Sequence, residues 1–301
     1  MRRPSRLRHG SIRSGLLGVA VLTAALLLAP AAHRAAAAET PDLYVGVNRI
    51  QGPFLSDGNG DIALSDLFVT FESGTATNRF SIRGAWVRVE KTGLVTFAAD
   101  APVILGAGGP GKANDQDADA GSTKSGLGDV YFKSETFMMR SGQGNHPALS
   151  FILDYKLGNA EEKNGLGTGQ NDWGGGLSYV QPLGKVFQIL GDATFQFMGS
   201  PQHVDFKDRL RIMLGFGIVT NRTRWRITGE SVAPALDEVP VFDAQGAPTG
   251  ALQHVDDWRV VSGVFVYVSK VGGSTRFVIQ KGLNDSSPNL GFSLTFASRP
   301  Q

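Results

Sequence analysis

Residues Phe187 to Phe197 alternate without a break: Phe187, Ile189, Gly191, Ala193, Phe195 and Phe197 fall on one parity, and Gln188, Leu190, Asp192, Thr194 and Gln196 on the other. A period of two marks a strand whose faces meet different surroundings; an amphipathic helix would repeat its apolar positions every three to four residues. The pattern returns where Leu210, Ile212, Leu214, Phe216 and Ile218 oppose Arg209, Arg211, Met213, Gly215 and Gly217, and where Trp225, Ile227 and Gly229 oppose Arg224, Arg226, Thr228 and Glu230. Marking every such run predicts twelve strands, at 43–50, 63–72, 79–90, 127–139, 147–157, 172–183, 186–198, 207–219, 223–233, 258–269, 273–282 and 288–297. Most are longer than the usual globular strand of about 5–6 residues and close to what a tilted strand needs to cross a bilayer.

The connections test this independently. With the N-terminus inside, the inward turns are 73–78, 140–146, 184–185, 220–222 and 270–272, all short, and the outward loops are 51–62, 91–126, 158–171, 199–206, 234–257 and 283–287. Short turns on one side and long loops on the other are the habit of outer-membrane barrels. The expected fold class is therefore all-β: an antiparallel up-and-down transmembrane β-barrel of about 12 strands. A soluble periplasmic β-sandwich is the competing architecture, but it predicts shorter strands and mixed loop lengths.

A barrel in an outer membrane must be exported, and the first residues read that way. Arg2, Arg3, Arg6, Arg8 and Arg13, with no acid among them, precede the apolar run Leu16 to Ala32, and Ala35 to Ala38 supply small residues for a cut before Glu39. The expected organisation is a cleaved signal peptide over 1–38 and a barrel over 39–301. Six of the 29 Lys and Arg lie before Glu39 and none of the 27 acids do, so the mature chain carries 23 cations against 27 acids, a net charge of −4. The sequence pI of 8.9 thus mostly describes a discarded peptide, and no basic footprint for nucleic acid remains. The chain has no cysteine, which excludes a lipid-bearing leading Cys, disulfides and thiolate metal sites. Thirty-nine glycines and a mean hydropathy of −0.07 argue against a helical membrane protein, so a membrane role must be carried by strands.

By parity the lumen candidates are Arg83, Asp129, Lys133, Glu135, Asp154, Lys156, Asp192, Arg209, Arg211, Arg224, Arg226, Glu230 and Arg276. Four of the arginines fall on the 207–219 and 223–233 strands, which a tight turn around Asn221 brings to one wall. Their guanidinium groups either bias passage toward anions or form a ladder of salt bridges to Glu230, Asp192 and Asp154, and pairing is the commoner fate of such charges. Aromatics near strand ends, Tyr44, Trp86, Tyr179, Trp225, Trp258, Tyr267 and Phe296, are candidates for interfacial membrane girdles. Asp57 to Asp61, and Asp115, Asp117 and Asp119, have the oxygen donors calcium favours, but Ile62 and Ala120 stand where an EF-hand-type loop needs Gly. Solvated loops are the better reading, with no metal expected. His146, His203 and His254 fall in turns or loops outside any nucleophile or metal-ligand spacing, so neither catalysis nor a cofactor is expected.

Three motifs carry a resemblance over about 126–296: Gly126-Leu127-Gly128-Asp129 opening a strand, Gly165-Leu166-Gly167-Thr168-Gly169 shortly before Asp172, and Asp285-Ser286-Ser287-Pro288 followed by Gly291 and Phe296. In these the chain resembles the outer-membrane family named for the MetA pathway of phenol degradation. It departs from that family at Leu157-Gly158-Asn159, where members often show Pro-Thr-Gly. The resemblance implies a barrel that admits small, often hydrophobic or aromatic compounds, and it brings no catalytic residues. The expected function is a passive outer-membrane channel, with the lipid bilayer and a small-molecule solute as its partners and no nucleic acid. Loops 91–126 and 234–257 are expected to fold over its mouth. The alternatives are a non-conducting barrel whose long external loops bind a surface partner, and a soluble β-sandwich binding protein.

Overall fold

The computed structural model describes residues 42–52, 62–90, 95–98, 101–104, 123–140, 145–160, 166–200, 205–242, 248–270 and 272–298. The expected signal peptide over 1–38 and the acidic loops at 57–61 and 115–119 lie outside the described residues.

Long alternating runs give long strands, and the chain forms β1 (Asp42–Gly52), β2 (Ile62–Gly74), β3 (Asn78–Val89), β4 (Val95–Ala98), β5 (Ala101–Ile104), β6 (Lys124–Leu127), β7 (Val130–Met139), β8 (Ala148–Leu157) and β9 (Asp172–Leu183). There follow β10 (Phe187–Phe197), β11 (Arg209–Val219), β12 (Thr223–Val232), β13 (Glu238–Phe242), β14 (Pro248–His254), β15 (Trp258–Val268), β16 (Ser274–Gly282) and β17 (Leu290–Ala297). Successive wall strands pair antiparallel, and β1 pairs with both β2 and β17, so the sheet closes on itself. Both β6 and β7 pair with β3. Taken as one interrupted strand they complete a closed twelve-strand barrel, which leaves no open edge to be satisfied.

Two details differ from the sequence reading. The strand expected over 127–139 breaks at Gly128 and Asp129, where Asn159 from the next loop takes over the backbone bonding: its Oδ1 accepts from the Val130 amide at 2.9 Å and its Nδ2 donates to the Gly128 carbonyl at 3.2 Å. The two longest loops also carry hairpins of their own, β4 with β5 and β13 with β14. Both are short, and their composition does not alternate as the wall strands do.

Leu67, Val69, Phe151, Leu177, Ile189, Leu214, Phe216, Ile227, Ile279 and Phe292 all point outward and are exposed. Every wall strand from β1 to β17 with described side chains contributes to this belt. So continuous an apolar surface would drive aggregation in water, and it is what a lipid-facing wall requires. Strands of about 11 residues, rising roughly 3.3 Å each and tilted about 45°, span about 26 Å, close to the apolar band of such barrels. The sheet is a single closed ring, which rules out the β-sandwich. The connections at one end are short and every long loop lies at the other, where the 283–289 connection is the short exception.

Candidate functional site

All ten sequence-predicted pore residues, Arg83, Asp154, Lys156, Asp192, Arg209, Arg211, Arg224, Arg226, Glu230 and Arg276, fall on the parity opposite the exposed apolar belt and so face the interior. They do not share one environment. Lys156 and Arg209 are 2% and 1% exposed, covered by loops, and therefore line no open passage.

Lys156 anchors a buried cluster at the loop end. Its Nζ lies 2.6 Å from Asp172 and 3.4 Å from Asp129, and it also donates to the Thr168 hydroxyl, so each of its three protons has an oxygen to meet. The carboxylates reach on into the loops: Asp129 Oδ1 accepts from the Ala160 amide at 2.9 Å, and Asp172 Oδ1 from the Gly199 amide at 2.8 Å. Arg209 lies alongside and donates to Gln196 Oε1 at 3.1 Å.

Two of the three motifs that carry the family resemblance meet here, and the third secures a neighbouring loop. A Cβ on Gly126 would stand 2.6 Å from a Leu166 methyl, and one on Gly128 would stand 2.6 Å from a Val87 methyl. Leu166 can therefore seat itself against the interrupted strand only because position 126 is glycine, and the break can lie against Val87 only because position 128 is. Ser286 Oγ accepts from the Asp256 amide at 3.1 Å and Ser287 Oγ from the Arg259 amide at 2.7 Å, tying the 283–289 connection to the base of β15.

An apolar layer crosses the mouth beside the ionic cluster. Ile50, Leu64, Val87 and Val89 on the β1–β3 wall pack with Ala160 and Leu166 from the β8–β9 loop, and with Val239 and Val255 from the β12–β15 connection. That connection leaves the ring at β12, several strands from β1–β3, so it spans the mouth. It is held on the way, where Phe206, Met198 and Ala235 pack together and Lys207 pairs with Asp237. Loop 234–257 folds over the mouth as expected. The β8–β9 loop does so too, which was not anticipated, and most of 91–126 lies outside the described residues.

The four arginines expected on one wall divide into two pairs. The β11–β12 hairpin sets Arg211 opposite Val232 at the loop end and Arg226 opposite Gly217 toward the turn end. Six residues of strand, about 20 Å, separate those levels. Arg211 pairs with Glu230 at 2.9 Å, as the salt-bridge reading expects. Sequence reading missed a second pair, Arg83 with Asp66 at 3.1 Å, with the Arg83 guanidinium 4.3 Å from the Phe68 ring centre. Between Arg83 and the Lys156 cluster lies a cavity lined in part by Asn48, Asp66, Asp129 and Tyr131.

Of the girdle candidates, Trp86, Tyr179, Trp225, Tyr267 and Phe296 face outward and are exposed, whereas Tyr44 and Trp258 are buried on the inward parity. Those two are corrections: Leu43, Val45 and Val47 already occupy the outer face of β1, which turns Tyr44 inward. Trp173, stacked on Phe197 with ring centres 4.0 Å apart, is an outward aromatic at the loop end that the sequence reading left out. His146 and His254 are exposed, and His203 lies outside the described residues.

No family model matches the chain, and no curated protein matches it. Solved structures do. An outer membrane channel from Pseudomonas putida F1 is similar at a TM-score of 0.57 and 12% identity, covering 88% of this chain and 98% of that one. The transport unit of the autotransporter AIDA-I from Escherichia coli is similar at a TM-score of 0.47 and 9% identity, over 87% and 90% of the two chains. The CymD monoaromatic hydrocarbon channel is similar at 0.42 and 9%, over 87% and 89%. The first of these shares the barrel fold.

Proposed function

We propose that this chain is an outer-membrane channel that passes small solutes through the barrel, with the loop-end layer as its filter. The observation that carries this reading is the contrast between the two faces of one closed ring: an unbroken apolar belt outside, and Arg83, Asp154, Asp192, Arg211, Arg224, Arg226, Glu230 and Arg276 inside. Charges are costly in a dry barrel interior and are retained where water and solutes pass. In this reading Trp86, Tyr179, Trp225, Tyr267 and Phe296 sit at the membrane interfaces, and the residues before Glu39 direct export. The resemblance to the MetA-pathway family points to solutes with hydrophobic or aromatic bodies. The apolar layer of Ile50, Leu64, Val89, Leu166, Val239 and Val255 is a surface such bodies can cross without shedding hydrogen bonds.

That same layer favours a second reading, in which the loops seal the barrel and bind a surface partner instead. Solute-driven swelling of liposomes containing the folded chain separates the two. The channel reading expects swelling faster than in protein-free vesicles. A rate equal to theirs, with the barrel shown to be inserted by its heat-dependent gel migration, overturns it.

A further inference from the structure

The inward charges are unevenly shared between the two halves of the ring. On β1 to β8, six carboxylates (Asp42, Asp66, Glu72, Asp129, Glu135, Asp154) face five cations. On β9 to β17 the balance reverses, with five arginines against Asp172, Asp192 and Glu230. Four of the inward cations are matched in ion pairs: Arg79 with Glu72 and Glu135, Arg83 with Asp66, Lys156 with Asp129 and Asp172, and Arg211 with Glu230.

Arg224, Arg226 and Arg276 differ. Among the described residues none of them has a carboxylate in ion-pair contact, and Arg226 Nε is buried without a hydrogen-bond partner. The ladder gathers them. Arg224 is paired across to Val266, which is paired to Arg276, and Arg226 is paired across to Val264. Arg226 interacts electrostatically with both other arginines and, among the described acids, with Asp192. Two residues along a strand and two strands across put the three α-carbons within about 7–12 Å of one another. Guanidinium groups held together without counter-ions repel, and an anion entering between them removes that repulsion. Their planar donor forks match a carboxylate, and Val264 and Val266, both on the inward parity between them, provide an apolar floor.

We infer that Arg224, Arg226 and Arg276 form a subsite for small organic carboxylates on the lumen wall. The inference deepens the channel reading and rests on it for physiological purpose, though binding itself requires no open pore. Two measurements on the folded full chain separate the failures. Calorimetric titration of the micelle-bound barrel with benzoate should show binding that the Arg224→Gln/Arg226→Gln/Arg276→Gln variant loses. The matching triple lysine variant should keep part of it, because charge persists while the fork is lost. In planar bilayers under a potassium chloride gradient, the reversal potential should report anion preference in the native barrel and shift toward cations in the glutamine variant. Benzoate binding that survives the glutamine substitutions, or that never occurs in the native barrel, overturns the subsite. Binding that is lost on substitution in a barrel that carries no current leaves the subsite standing and overturns the channel.

Discussion

The two ends of the lumen hold the same kind of residue in opposite states. At the loop end Lys156 and Arg209 are buried, matched by carboxylates and an amide, and built into the joints between wall and loops. Toward the turn end Arg224, Arg226 and Arg276 lack ion-pair partners among the described residues. A cation satisfied within the protein holds architecture together; one left unsatisfied is available to whatever enters. Burial and pairing therefore assign the roles more sharply than the residue type does.

Removing Lys156 should break this comparison most severely. Lys156→Met leaves Asp129 buried without its counter-ion and takes from Asp172 its 2.6 Å partner, a loss of about 3–5 kcal/mol for a severed buried pair. Urea unfolding in micelles, followed by tryptophan fluorescence, should show the midpoint falling accordingly, and an unchanged midpoint would refute the joint. Leu166→Ala should cost less, roughly 2 kcal/mol, because a loop side chain leaves a cavity its surroundings can partly fill. Its more telling effect is on transport: a loosened mouth should conduct more while its ion preference stays fixed, the reverse of the arginine substitutions. A conductance unchanged by Leu166→Ala would remove the mouth layer as the filter.

Much of the wall was legible in the sequence because alternation is local. Residues 187–197 and 209–219 declare their parity without knowledge of any neighbour, and parity alone placed all ten pore candidates inside. Tyr44 was legible by the same rule, since Leu43 and Val45 flank it, but its position near a strand end suggested a girdle instead. The buried cluster was not legible. Asp129, Lys156, Asp172 and Arg209 stand on different strands, and only the closed ladder brings them together. The division of the four arginines required the register of one hairpin, in which antiparallel pairing sends Arg209 and Arg211 away from the turn that Arg224 and Arg226 adjoin. The motifs Gly126-Leu127-Gly128-Asp129 and Leu166-Gly167-Thr168 were visible singly. That one is the seat of the other was not.

The β12–β15 connection has a mechanical consequence. A ring of hydrogen-bonded strands resists stretching around its circumference but ovalises readily, as any hoop does when squeezed across a diameter. Val239 and Val255, lodged against Ile50, Leu64 and Val89 on a distant part of that hoop, act as a spoke fastened to the rim beside the seam where β1 meets β17. Lateral pressure from the bilayer should therefore deform the turn end, where the described residues form no such strut, before it deforms the mouth.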